Sequence, residues 1–75
     1  MERIIQLIAQ VGGIDSVSPD ANIYEAGFSS VRVLELLLSL EDEFGISIPD
    51  KEFMTSRTPR QISGLIDSLR ERQIA

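Results

Sequence analysis

Ile4, Ile5, Leu7, Ile8 and Val11 recur at the three- and four-residue spacing of a helix face rather than alternating, which predicts a first helix over Glu2 to Val11. Gly12-Gly13 can take the left-handed geometry that ends a helix, and Asp15, Ser18-Pro19-Asp20 and Asn22 supply turn chemistry after it. A loop of that length needs anchors, and Ile14, Val17, Ile23, Tyr24 and Phe28 are the candidates. From Ser29 or Ser30 the chain runs to Phe44 without Gly or Pro and is rich in Leu and Glu, which predicts the longest helix. Gly45 ends it. Ile46, Ile48 and Pro49 read as extended, because a residue before proline is pushed out of the helical region. A short turn of helix is expected over Asp50 to Met54. Thr58, Pro59 and Gln61 supply an N-cap, a favoured first residue and the third-position partner of a capping box. Ile62, Leu65, Ile66 and Leu69 form the buried stripe of that last helix. The pattern predicts an all-α fold: a small antiparallel four-helix bundle, three longer helices and a short third one, with a long loop between the first two.

The central helix carries two apolar arcs. With Ser30 at zero and 100° per residue, Val33, Leu36, Leu37, Leu40 and Phe44 share one arc of about 100°, the expected core face. Val31, Leu34 and Leu38 fall on a second arc at roughly 40–100°, bordered by Glu35, Glu41 and Asp42. A wide core face in a small bundle would account for that strip, and so would a docking surface with an acidic rim. Ser29-Ser30 stands at its head. One serine suffices to cap the helix, which leaves the second available for chemistry. A phosphate attached there would meet the free amides and positive dipole end of a helix N-terminus.

Composition narrows the chemistry. The 75 residues hold neither Cys nor His, so the chain has no thiol nucleophile, imidazole base or Cys/His metal site of its own. Paired carboxylates do not substitute for them: Glu41 and Glu43 point roughly 160° apart on the helix. An enzyme is therefore not expected, and neither catalytic nor metal-binding residues are assigned. Seven Lys and Arg against twelve Asp and Glu leave a net charge of −5, which repels phosphate backbones and anionic membranes. Residues 1–30 carry −3, residues 31–54 carry −4 and residues 55–75 carry +2, so acid gathers around the central helix. With no long apolar run and no export signal, one domain over residues 1–75 is expected, cytoplasmic and monomeric, with no membrane insertion and no nucleic-acid partner.

The run Glu25-Ala26-Gly27-Phe28-Ser29-Ser30-Val31, continued by Leu34-Glu35-Leu36 and by Leu40 to Asp50 (LEDEFGISIPD), resembles the acyl carrier protein family. That family's pattern is a glycine, two variable residues, a serine and then leucine, with a later acidic cluster, a phenylalanine and an isoleucine-proline pair. The resemblance implies that Ser30 receives a 4'-phosphopantetheine arm from coenzyme A, installed by a separate magnesium-using transferase. The arm's thiol carries an acyl or aminoacyl group as a thioester, so a chain without cysteine imports its sulfur. The family's loading and transfer enzymes bring basic patches to the second helix, where Val31, Leu34, Glu35, Leu38, Glu41 and Asp42 would meet them.

Ser29 stands where housekeeping fatty-acid carriers usually have Asp, Val31 replaces the usual leucine, and Arg32 replaces what is often an acid. These departures imply a specialised carrier. Its cargo is expected from fatty acid, polyketide or related biosynthesis, with an aminoacyl or peptidyl carrier, or an unmodified acidic helical adaptor, as the rival readings. An aliphatic cargo is expected to fold back between the second and third helices, into space lined by Leu40, Ile48 and Phe53.

Overall fold

The computed structural model describes the backbone of residues 1–74 and side chains through Arg72. Four helices follow one another: α1 (Glu2–Gly12), α2 (Ser30–Phe44), α3 (Asp50–Thr55) and α4 (Pro59–Ile74). No strand occurs among the described residues. The predicted elements agree with these bounds to within a residue at the end of α1 and of α3, but α4, at 16 residues, exceeds the 15 of α2, the helix expected to be the longest.

The inward faces are the ones that periodicity marks. Ile4, Leu7 and Ile8 of α1, Val33, Leu36, Leu37 and Leu40 of α2, and Ile62, Ile66 and Leu69 of α4 are buried in one cluster with Phe53 of α3. Phe44 and Leu65, expected in the same stripes, are only half-buried at its edge. Phe44 lies instead beneath the Arg70 guanidinium, 5.6 Å from its ring centroid, an amphipathic arrangement suited to a partly wet position.

The exits of α1 and α2 both turn left-handed at glycine. At Gly13 φ is 67°, and the Ile14 N–H donates back to the Ala9 carbonyl at 3.0 Å. That bond satisfies an acceptor the helix end would otherwise leave free. The capping box at α4 forms as the sequence predicts: the Gln61 N–H donates to Thr58 Oγ1 at 3.1 Å, and the Thr58 N–H donates to Gln61 Oε1 at 3.3 Å. Gln61 Oε1 also accepts from the Arg57 N–H at 2.7 Å, which ties the α3–α4 corner to the same cap.

Residues 13–29 form the long connection, and five of its side chains hold it down. Val17, Ile23 and Phe28 are buried, and Ile14 and Tyr24 pack half-buried against the core. The Phe28 ring lies on Gly12, where a Cβ would meet it at 2.7 Å, so this close approach requires a residue with no side chain. Backbone bonds finish the work. The Ile23 N–H donates to the Arg57 carbonyl at 2.8 Å, and the Arg60 N–H donates to the Pro19 carbonyl at 3.0 Å. Arg60 also grips Asp20 with two bonds, Nε to Oδ1 at 2.8 Å and Nη2 to Oδ2 at 3.2 Å. The loop is thus strapped to the start of α4, and it delivers residues 28–30 to the head of α2 in a fixed place.

Candidate functional site

The two serines at the head of α2 do different things. Ser29 is the N-cap, with extended backbone (φ −81°, ψ 170°), and its Oγ accepts from the Arg32 N–H at 3.3 Å. The Val33 N–H donates to the Ser29 carbonyl at 2.9 Å. Ser30 is the first helical residue, is exposed, and its hydroxyl has no part in the cap. The cap engages the third amide of the helix and leaves those of Ser30 and Val31, the first two, pointing out of the helix end.

Beside Ser30 lies a groove of about 170 Å³ between α2 and α3, lined by Ser30, Val33, Leu34, Leu37, Asp50, Phe53 and Met54. Its location follows from the wheel: Ser30, Val33, Leu34 and Leu37 straddle the seam between the core arc of α2 and its second apolar arc. The α3 helix packs against α4, so α2 and α3 are not pressed together at this seam. Apart from Ser30 and Asp50, the lining residues are apolar. Of the three residues expected along a cargo path, only Phe53 borders the groove. Leu40 and Ile48, 0% and 4% exposed, are spent in the core, and the void sits nearer Ser30 than expected. Sequence reasoning missed Met54 and Asp50 here, because the turn before α3 has no periodicity that would have aimed them.

The second arc of α2 is left open. Val31, Leu34 and Leu38 are 67%, 55% and 61% exposed, and Met54 of α3 is 49% exposed. Its three carboxylates differ. Asp42 is exposed to solvent. Glu35 pairs with Arg32 at 3.2 Å one turn below it, and the same guanidinium donates to the Val11 carbonyl at the end of α1. Glu41 is half-buried, and its Oε2 accepts from the Ile48 N–H at 2.8 Å, pinning the extended segment that leads to α3. At about 20° on the wheel, Glu41 borders the core arc, which is why its carboxylate turns inward. The neighbouring Glu43 pairs with Arg3 across the α1–α2 interface at 2.9 Å; that hydrogen bond holds its carboxyl below the ordinary range.

The model of the family described as phosphopantetheine attachment site matches residues 2–66, a span that takes in the whole of this arrangement. An acyl carrier protein from Syntrophobacter fumaroxidans is 35% identical over 63 residues, covering 80% of this chain and 78% of its own. The chain belongs to the acyl carrier protein family. The solved structure of BlmI, a type-II acyl carrier protein from Streptomyces verticillus involved in bleomycin biosynthesis, superposes with a TM-score of 0.84. It is 18% identical, with 89% of this chain and 81% of that one covered, so it speaks for the fold.

An acyl carrier protein is a carrier and not a catalyst, and its cofactor is covalent 4'-phosphopantetheine. The residues at the head of α2 fit that group: a free exposed hydroxyl, two unengaged helix amides to receive a phosphate, and an apolar groove alongside. The bound arm supplies a thiol on which an acyl group rides as a thioester. No helix among the described residues is long and apolar enough to cross a membrane.

Proposed function

We propose that Ser30 is the attachment point of the phosphopantetheine arm and that the chain shuttles a thioester-linked acyl group between enzymes of fatty acid, polyketide or related biosynthesis. The division of labour between the serines carries this reading: Ser29 is committed to the cap, and Ser30 is free, exposed and adjacent to the groove. With no base beside it in a chain lacking His, Ser30 depends on a transferase for activation. The amides of Ser30 and Val31 then stabilise the phosphodiester charge.

The partner surface is the open arc of α2. Val31, Leu34 and Leu38 supply its apolar contact area, Asp42 its free charge, and Glu35 a charge already shared with Arg32. Glu41 contributes to this surface through its position beside the arc, while its carboxylate serves the α2–α3 connection. Transferase, loading and transfer enzymes would take turns on the surface, each reaching Ser30 at its upper edge.

Incubation with coenzyme A and a broad-specificity phosphopantetheinyl transferase, followed by intact mass and peptide mapping, tests the assignment. The wild-type chain and Ser29→Ala should gain one arm, on Ser30, and Ser30→Ala should gain none. An arm on Ser29, or on neither serine, would overturn it.

A further inference from the structure

Arg32 is the first charged side chain after Ser30 on α2, and only one nitrogen of its guanidinium is engaged. Nη1 donates to Glu35 Oε2 at 3.2 Å and to the Val11 carbonyl, in the last turn of α1, at 3.3 Å. A cation is favoured at a helix C-terminus, so these two bonds to two helices fix the group in place. Nε and Nη2 have no hydrogen-bond partner among the described residues, and the side chain is 55% exposed. That edge is the fork with which a guanidinium takes a carboxylate in two bonds. The same edge of Arg60 already holds Asp20, Nε to Oδ1 and Nη2 to Oδ2. The acids of α2 set the opposite pole further along: Glu35 is paired with Arg32, Glu43 is paired with Arg3, Glu41 is turned to the Ile48 N–H, and Asp42 stands exposed. From Arg32 to Asp42 the helix rises about 15 Å.

We propose that Arg32 is a specificity-determining residue for partner choice: its free Nε/Nη2 edge takes a carboxylate of the docking enzyme, whose basic residue lies about 15 Å further along α2, at Asp42. The proposal rests on the reading of Ser30 as attachment point. Two fixed poles of opposite sign admit the enzyme in one direction along the helix, because a reversed enzyme would set its cation on Arg32 and its carboxylate on Asp42. An enzyme with a uniformly basic patch meets repulsion at the Ser30 end and is selected against. The sequence leads one to expect a basic group at Glu35; the structure puts that acid behind Arg32, and the group presented to a partner there is the guanidinium.

The test uses the phosphopantetheinyl transferase of the organism that makes this chain. Intact mass of the modified wild type comes first: a chain with no arm on Ser30 overturns the attachment reading and this proposal with it, whereas a modified chain leaves the outcome to Arg32 alone. At low salt, Arg32→Gln should lower kcat/KM about tenfold, with the loss falling on KM and shrinking as salt is raised. Arg32→Lys keeps the charge without the fork and should lose about threefold. Glu35→Gln removes a carboxylate that competes for the guanidinium and should raise kcat/KM about twofold. Thermal melts of each variant separate these effects from the loss of the Val11 contact. Carbodiimide cross-linking gives a readout independent of turnover: the Arg32→Lys chain, whose one native lysine is Lys51, should join through position 32 to an Asp or Glu of the enzyme, and Asp42 should join to an enzyme lysine. Faster or unchanged modification of Arg32→Gln together with slower modification of Glu35→Gln would show a basic group docking at Glu35 and would overturn the proposal. So would an absence of any cross-link from position 32 to an enzyme carboxyl.

Discussion

Along the connection between α1 and α2, Val17, Ile23 and Phe28 are buried and the polar groups around them are paired across to α4. On the outward arc of α2 and the adjoining turn of α3, Val31, Leu34, Leu38 and Met54 stand about half exposed or more, with a void among them. Both regions are built from ordinary aliphatic and aromatic side chains, and each lies within a few residues of Ser30. They differ in what covers them. The loop is fastened to the α3–α4 corner and the start of α4 by the Ile23–Arg57, Arg60–Pro19 and Asp20–Arg60 bonds, whereas the α2–α3 seam has no element laid over it. A carrier needs both conditions at once. The modified residue must be held in a reproducible place, and the surface next to it must stay available to successive partners.

Truncations separate the two regions most sharply. Phe28→Ala should destabilise the fold by about 3–5 kcal/mol, because it empties a buried site against Gly12 and loosens the loop that positions Ser29 and Ser30. Leu34→Ala combined with Leu38→Ala should cost no more than about 1 kcal/mol, yet slow modification by the transferase at limiting enzyme. Urea denaturation and initial rates measure the pair. Equal destabilisation would mean that the open arc is a structural face, and the comparison would fail.

A middle-sized effect tests the strap from the other side. Thr58→Ala removes the α4 cap and should lower stability by about 1 kcal/mol, while the mass gained at Ser30 stays unchanged. A melt identical to wild type would mean that Gln61 and the Arg57 N–H hold the corner without Thr58.

The smallest effect is the pH dependence of the strap. Its hydrogen bond with Arg60 holds the Asp20 carboxyl below the ordinary carboxylate range. A depressed folded-state pKa contributes stability above the unfolded value, near about 4, and loses it as pH falls through the lower folded value. Asp20→Asn should therefore melt slightly below wild type at pH 7, and the gap should close as pH drops below about 4. The pair is exposed, so the shift should be small and shrink with salt. A gap that widens in acid would show that Asp20 is not stabilised by Arg60.

Much of this was legible in the chain. Helical periodicity located α1, α2 and α4, because a face that must be buried repeats at the pitch of the helix whatever it is buried against. The capping box at Thr58 and Gln61 and the left-handed glycines at 13 and 45 were readable for the same reason: each is a local rule satisfied within five residues. The Ser29-Ser30 pair at the head of an apolar and acidic strip is also visible in the chain, as is the likeness of its surroundings to carrier proteins.

What the sequence by itself determined, then, were the helices, their inward faces and the candidate serine, all of which depend on near neighbours. The tertiary structure alone decided which serine caps and which is free, and that Glu41 turns in to Ile48 while Asp42 stays out. It also decided that Asp20 finds Arg60 and that the void opens at Leu34, Phe53 and Met54 rather than at Leu40 and Ile48. These outcomes join residues as far as forty positions apart. Such pairings follow from how α3 and the long loop settle against α4, and no periodicity within either segment encodes that distance.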